Sequence, residues 1–251
     1  MTVNNPFDLP ERAEAIITDL YFTRLLSTEQ IANRYFNTKA TAKRKMHKLK
    51  EEKGVVIPRT PKKGLTVWML NKRAFEREVE TLRREGESYR EWPKNRAIPH
   101  LVDTNDIYLE IVDEMNRVLG ELPEGWDWRN EAQAWTRYNH GGERGRVHQP
   151  DAEVHFAGNI YFLERQTHRA RKTSEEIEDK LVGYRRYTKR LRDQGIEGEL
   201  EILFACDEER DMDYALEAAE KYGLGMTAGD VEQISDHLRK KAQASRPAAT
   251  A

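Results

Sequence analysis

The chain has 251 residues, 38% hydrophobic and 34% charged, enough for one ordinary domain and one small one, each with its own core. No apolar run approaches the roughly 20 residues that cross a bilayer. Residues 1–10 lack a leader-like segment and the lone Cys206 excludes an internal disulfide or a cysteine-rich zinc site, so a cytoplasmic protein without a membrane partner is expected.

The formal net charge of −2 hides an asymmetry: residues 1–73 hold 15 Lys and Arg against 7 Asp and Glu, a balance of +8 that leaves −10 for the rest. Within that basic end, Ala15, Ile16, Leu20, Phe22 and Leu25/Leu26 recur at helical spacing over residues 11–26. Ser27 followed by Glu29 and Gln30 reads as an N-cap with its capping-box partner, opening a helix over 28–36 that turns Ile31, Ala32 and Tyr35 inward. A third helix over about 40–50 offers Met46 and Leu49 to the core and distributes Lys39, Thr41, Lys43, Arg44, Lys45, His47 and Lys48 around the remainder.

Beyond Gly54, the β-rich runs 55–57 and 65–70 flank a Pro/Gly-punctuated tip at 58–64 that carries Arg59, Lys62 and Lys63. Helix, helix, basic helix, basic hairpin is the order of a winged helix-turn-helix, in which one helix enters the major groove and the wing meets the adjacent backbone. Double-stranded DNA is therefore the expected partner of residues 1–73. Lysines would hold phosphates, with Arg44 and His47 placed to reach base edges. Residues 74–97 read as an exposed, charged linker helix ended by Pro93, and also as a candidate homodimer helix.

From residue 98 to 241 the pattern turns mixed α/β, and the tail 242–251 has a composition expected to be disordered. An amphipathic helix over 103–119 precedes a Trp-rich stretch at 125–138. Strands are expected at 152–156 and 160–163, joined by Ala157-Gly158-Asn159. A long helix over 174–192, a buried strand over 200–206 and helices over 212–222 and 231–241 complete an α+β chain.

Pro150-Asp151, the hairpin and Glu164-Arg165-Gln166 resemble the PD-(D/E)xK signature of restriction-endonuclease-like nucleases. That resemblance implies Asp151 and Glu164 as ligands of Mg²⁺, with the third position near the attacking water. Phosphodiester cleavage needs hard oxygen ligands, and two hairpin strands converge them at one edge. Gln166 stands where the lysine is expected, and Lys180 on the following helix is a candidate for the displaced ammonium.

The C-terminal order is narrower still. His100, the helix at 103, Trp128 to Glu131, Pro150-Asp151, Tyr161 to Glu164, Lys180-Leu181 and Tyr184/Tyr187 resemble the replication-relaxation family of plasmids, viruses and integrative elements. Where that family usually reads Glu-x-Asp-Arg-Gly-Thr, this chain has Glu164-Arg165-Gln166-Thr167-His168. The resemblance implies a winged helix followed by a nuclease-like domain, with Asp151, Glu164, Gln166 and Lys180 as its core and Glu131, less surely Glu110, as a further carboxylate. It also implies a role in replication, relaxation or mobilisation of an element, or its regulation, alongside replication or mobilisation proteins.

A Mg²⁺-dependent endonuclease or nickase is the alternative, and a protein–protein adaptor the third reading. His140, His148, His155 and His168 lack the helical spacing and cysteine partners of zinc motifs. Residues 141–146 lack the lysine of a phosphate loop and read as a flexible basic loop touching DNA. Arg169, Arg171 and Lys172 with Arg185, Arg186, Lys189 and Arg190 form a second basic stripe, either facing DNA or paired with Glu175, Glu176 and Glu178.

Overall fold

A computed structural model describes residues 10–77, 80, 92–140, 143–167 and 173–246. Its contacts divide the chain into two compact units, Met1–Asn105 and Asp106–Ala251.

The first unit is a winged helix. Helix α1 (Glu11–Thr23) buries Ala13, Ile16, Ile17, Leu20 and Tyr21 and ends where Arg24 takes a positive φ of 67°. It stops three residues short of the expected end, and Ala15 lies exposed one step off the apolar stripe. The two-residue strand β1 (Leu26–Ser27) leads into α2 (Thr28–Tyr35), whose N-terminus is closed reciprocally by Ser27 and Gln30. Asp19 is buried between Arg34, 3.0 Å away, and the hydroxyl of Tyr35, 2.5 Å away, so a charge in the core is answered from two directions.

Helix α3 (Lys39–Lys48) runs into a π-helical turn at Leu49–Lys53, and Gly54 stops it at φ 61°. Strands β2 (Val56–Lys62) and β3 (Leu65–Leu70) form the wing, with sheet order β1-β3-β2. The expected seven-residue tip is a correction: Pro58 and Pro61 lie inside β2, and only Lys63-Gly64 turn. Proline is tolerated there because β2 is an edge strand whose register shifts between Arg59 and Lys62.

Fully buried Trp68 ties the wing to α2, donating its indole N–H to Thr28 Oγ1 at 2.9 Å. Helix α4 (Lys72–Arg77) buries Ala74 and Phe75, and residues 95–97 form one 3₁₀ turn; most of the expected linker helix lies outside the described residues. Helix α5 (Ile98–Leu119) begins five residues before the expected start, with Pro99 in its first turn, where a missing N–H costs nothing. Its residues Ile98 and Leu101 join Leu25, Val67 and Met69 in the winged-helix core, so the stretch 98–105 belongs to the first unit and not to the second. Asn105 donates to the carbonyl of Leu25 at 2.5 Å.

In the second unit, strand β4 (Asp127–Asn130) is followed by α6 (Glu131–Ala134), so the Trp-rich stretch holds both a strand and a helix. Strands β5 (Thr136–His140) and β6 (Glu143–His148) pair as a separate ribbon, which replaces the expected flexible loop over 143–146. Strands β7 (Ala152–Phe156) and β8 (Asn159–Gln166) turn through Ala157 and Gly158, both at positive φ as a two-residue hairpin requires. Helix α7 (Ser174–Asp193), strand β9 (Leu200–Cys206), helix α8 (Glu209–Tyr222), strand β10 (Gly225–Gly229) and helix α9 (Val231–Ala244) complete the unit.

The five-stranded sheet has the order β10-β9-β8-β7-β4, with β4, β7 and β8 antiparallel and β8, β9 and β10 parallel. The unit is thus mixed α/β: a helix, a three-stranded antiparallel meander, a crossover helix and a fourth, parallel strand. Phe162, Ile202, Phe204 and Cys206 face α7 and α8, and burial pushes the Cys206 thiol up to about 12. Trp128 lies on the opposite face, edge-on to Tyr108 of α5 at 5.1 Å. Ala242–Ala244 of the expected tail complete α9, and residues 247–251 lie outside the described residues. Among the described residues no helix is long and apolar enough to cross a membrane.

Candidate functional site

The first candidate surface is α3 with the wing. Thr38 caps α3 by accepting the N–H of Thr41 at 3.2 Å, and Ala42 and Met46, both fully buried, fix which face the helix turns inward. That rotation leaves Lys43, Arg44, Lys45 and Lys48 exposed, with Lys62 and Lys63 exposed at the turn of the wing. Lys43, Arg44, Lys45, Lys62 and Lys63 make no ion pair among the described residues.

The remaining expected contacts are committed elsewhere. Lys39 pairs with Glu29 at 3.2 Å and Lys48 with Glu52 at 3.5 Å. Thr41 is half-buried, and its hydroxyl accepts from that of Thr38. His47, expected to reach base edges, is half-buried and stands edge-on to Trp68 at 5.1 Å. Arg59 lies over the ring of Trp92 at 5.6 Å and donates to the carbonyl of Pro93 at 3.5 Å.

The second candidate site lies where β7 begins and β8 ends. The register Ala152↔Leu163 sets Asp151 beside Glu164: the Asp151 N–H donates to the carbonyl of Leu163 at 3.0 Å, and Asp151 Oδ2 accepts the N–H of Arg165 at 2.7 Å. Glu164 is 2% exposed, and Tyr184 donates its hydroxyl to Oε1 at 2.5 Å while Lys180 binds Oε2. Lys180 and Tyr184 are one helical turn apart, so α7 presents both to the strand. Burial first, then the negative charges of Glu164, Asp151 and Glu153, holds the Tyr184 phenol far above its ordinary pKa, which keeps it a proton donor to Glu164. Gln166 follows on the same face, donating from Nε2 to Asp211 Oδ2 of α8 at 2.7 Å.

Asp151, Glu164, Gln166 and Lys180 therefore belong to one strand-end neighbourhood, in which Lys180 touches the Glu164 carboxylate two residues before Gln166. The metal set is not gathered. Glu131 on α6 accepts instead from Gln149 Nε2 at 2.6 Å, Glu110 is exposed, and among the described residues no three of His, Cys, Asp and Glu come together to hold an ion.

Sequence reasoning passed over Glu153, 4% exposed, which takes the imidazole of His155 at 3.0 Å and stands 3.8 Å from Arg129. The signal was present in the alternation of Asp151, Glu153 and His155 along β7. His155 thus serves a carboxylate, while His168 and the side chains of His140 and His148 lie outside the described residues, as do residues 141 and 142. Of the second basic stripe, Arg185 and Lys189 are exposed on α7, and Arg169, Arg171 and Lys172 lie outside the described residues. Glu178 turns to α8, meeting Lys221 at 3.1 Å and Tyr222 at 3.0 Å.

The sequence profile of the replication-relaxation family matches residues 17–201. No curated protein matches. Among solved structures, protein VC1899 from Vibrio cholerae is 16% identical with a TM-score of 0.38, covering 94% of this chain and 52% of its own. The restriction endonuclease FokI is 12% identical with a TM-score of 0.30, covering 94% and 45%; bound to DNA it gives 12%, 0.29, 93% and 45%. The chain spans about half the length of these structures.

Proposed function

This chain belongs to the replication-relaxation family, and on that premise we propose that it docks on double-stranded DNA through α3 and the wing, serving replication, relaxation or mobilisation of a plasmid, virus or integrative element, or its regulation. One observation carries this reading: Lys43, Arg44 and Lys45 on α3 and Lys62 and Lys63 on the wing are exposed without carboxylate partners among the described residues. Cations left unneutralised on two elements of one scaffold suit a polyanion, and displacing counterions from its phosphates supplies affinity that falls steeply with salt. The test is fluorescence anisotropy of a labelled duplex between about 50 and 200 mM salt, where five phosphate contacts give a log–log slope of about −4. A flat salt response would overturn DNA docking and favour the adaptor reading.

A second reading, DNA cleavage, is favoured by Asp151 and Glu164 meeting at adjacent strand positions with Lys180 beside them. As folded, these residues do not fit a divalent ion: both oxygens of Glu164 accept from protein donors, and among the described residues no third ligand joins. Supercoiled plasmid incubated with Mg²⁺ or Mn²⁺ decides it, beside Asp151→Ala/Glu164→Ala. Nicking lost in that variant would establish an endonuclease. Duplex binding without nicking would leave a DNA-docking protein whose second unit does not cut.

A further inference from the structure

Three consecutive residues at the carboxyl end of β8 bury polar atoms that have no hydrogen-bond partner among the described residues: Nε and Nη1 of Arg165, Oε1 of Gln166 and Oγ1 of Thr167. Arg165 is 9% exposed, Gln166 2% and Thr167 9%, so solvent does not answer them freely. Strand alternation sorts the three. Gln166 shares the face of Glu164, Arg165 lies on the other, and Thr167 follows directly past the strand's end.

Among the described residues the guanidinium of Arg165 has one hydrogen-bond partner, Asp207 Oδ1, which accepts from Nη2 at 2.7 Å. Asp207 is itself 37% exposed, so most of the charge compensation for a buried arginine comes from a half-solvated carboxylate. Burying a cation is unfavourable unless its donors are met, and each orphaned buried donor calls for an explanation. The residue opposite Arg165 on β9 is Ala205, fully buried and small, so the neighbouring strand leaves the guanidinium unobstructed by a large side chain. β8 and β9 are parallel and reach their carboxyl ends together, which is where sheets of this kind take up ligands.

We propose that Arg165 and Thr167 form an oxyanion site for a phosphate group at the carboxyl end of β8, with Arg165 on the face opposite the Glu164–Lys180 pair. Guanidinium N–H groups and a hydroxyl are all donors, and arginine matches phosphate better than any other side chain. The phosphate has two sources, inorganic phosphate or the phosphodiester backbone of DNA. Only the second rests on the DNA-docking reading.

The full-length protein is titrated with inorganic phosphate against chloride at matched ionic strength, following the thermal midpoint and the heat of binding. In parallel, duplex affinity is measured across salt. Arg165→Gln removes the guanidinium; Thr167→Val keeps side-chain volume and carries the test if Arg165→Gln fails to fold. A phosphate response that weakens about tenfold in Thr167→Val supports the site with free phosphate as its ligand. No phosphate response, but a salt slope reduced by about 1 in Arg165→Gln or a duplex affinity about tenfold weaker at unchanged slope in Thr167→Val, supports it with the DNA backbone as its ligand. Lys43→Gln/Arg44→Gln/Lys45→Gln, measured alongside, reports on α3 separately, so failure of DNA docking and failure of this site are told apart. If neither phosphate nor the salt slope distinguishes the variants from wild type, the proposal is overturned and the donors are met by water alone.

Discussion

On α3, Lys43, Arg44 and Lys45 stand in solvent with no carboxylate beside them, whereas in the second unit Lys180, Arg165 and His237 each meet an acidic partner: Glu164, Asp207 and Glu201. Like charges crowded on one helix face slightly destabilise the fold and become useful when a polyanion arrives. A cation against a carboxylate that is 2% exposed is instead part of the fold, because removing either partner strands the other. The exposed cations of α3 are not part of what holds the first unit together; the paired cations of the second are part of its fold.

That contrast breaks if stability and binding fail to separate on mutation. The largest effect is expected for Lys180→Ala, which leaves the Glu164 carboxylate with Tyr184 but without its cation; a loss of about 3 kcal/mol by urea denaturation is expected, with duplex affinity unchanged. A stability unchanged by this substitution would remove the pair from the fold's support. Next comes Lys43→Gln/Arg44→Gln/Lys45→Gln. Its duplex affinity should fall about 100-fold near 0.1 M salt and its slope by about 3, while the thermal midpoint holds.

A smaller effect sharpens the comparison within the first unit. Ser27→Ala removes the side chain that accepts the N–H of Gln30 at 3.1 Å, and about 1 kcal/mol of stability should go without any change in salt slope. The smallest effect concerns acid. Burial raises the Glu201 pKa, but hydrogen bonds from His237 at 3.1 Å and Thr227 at 2.6 Å, with the charges of His237 and Lys241, outweigh it and hold the carboxyl below its usual range. A depressed carboxyl contributes stability that is fully present above the unfolded pKa of about 4.3 and is lost as pH falls through the folded value. Acid titration of Glu201→Gln should therefore show a shallower loss of stability below about pH 4.3 than wild type; an unchanged acid limb would sink this assignment.

Much of the architecture was legible because local signals and tertiary outcome agree. Ser27 and Gln30 form the capping box their spacing announced, and the apolar run 200–206 is β9 to the residue. β10 escaped because Gly-Met-Thr-Ala-Gly has no strand propensity of its own; it pairs only because β9 offers a parallel edge. The start of α5 escaped because Ile98 and Leu101 answer to a core built from residues 25, 67 and 69, a contact no local window contains. In the candidate site, Asp151, Glu164 and Lys180 were visible as residue types at plausible spacing, but which carboxylate the lysine would meet was decided by α7 crossing β8. The unmet donors of Arg165 and Thr167 left no trace in the sequence, since partner satisfaction is a property of the folded neighbourhood alone.

The prolines of the wing have one further consequence. β2 is an outer strand, and an outer strand with a full row of N–H groups is a template on which other chains can stack into aggregates. Pro58 and Pro61 withdraw two donors from its seven residues, and the register shift at Arg59/Lys62 bends the strand away from a flat docking edge. The same residues that obscured the strand in the sequence keep the wing from recruiting its own kind.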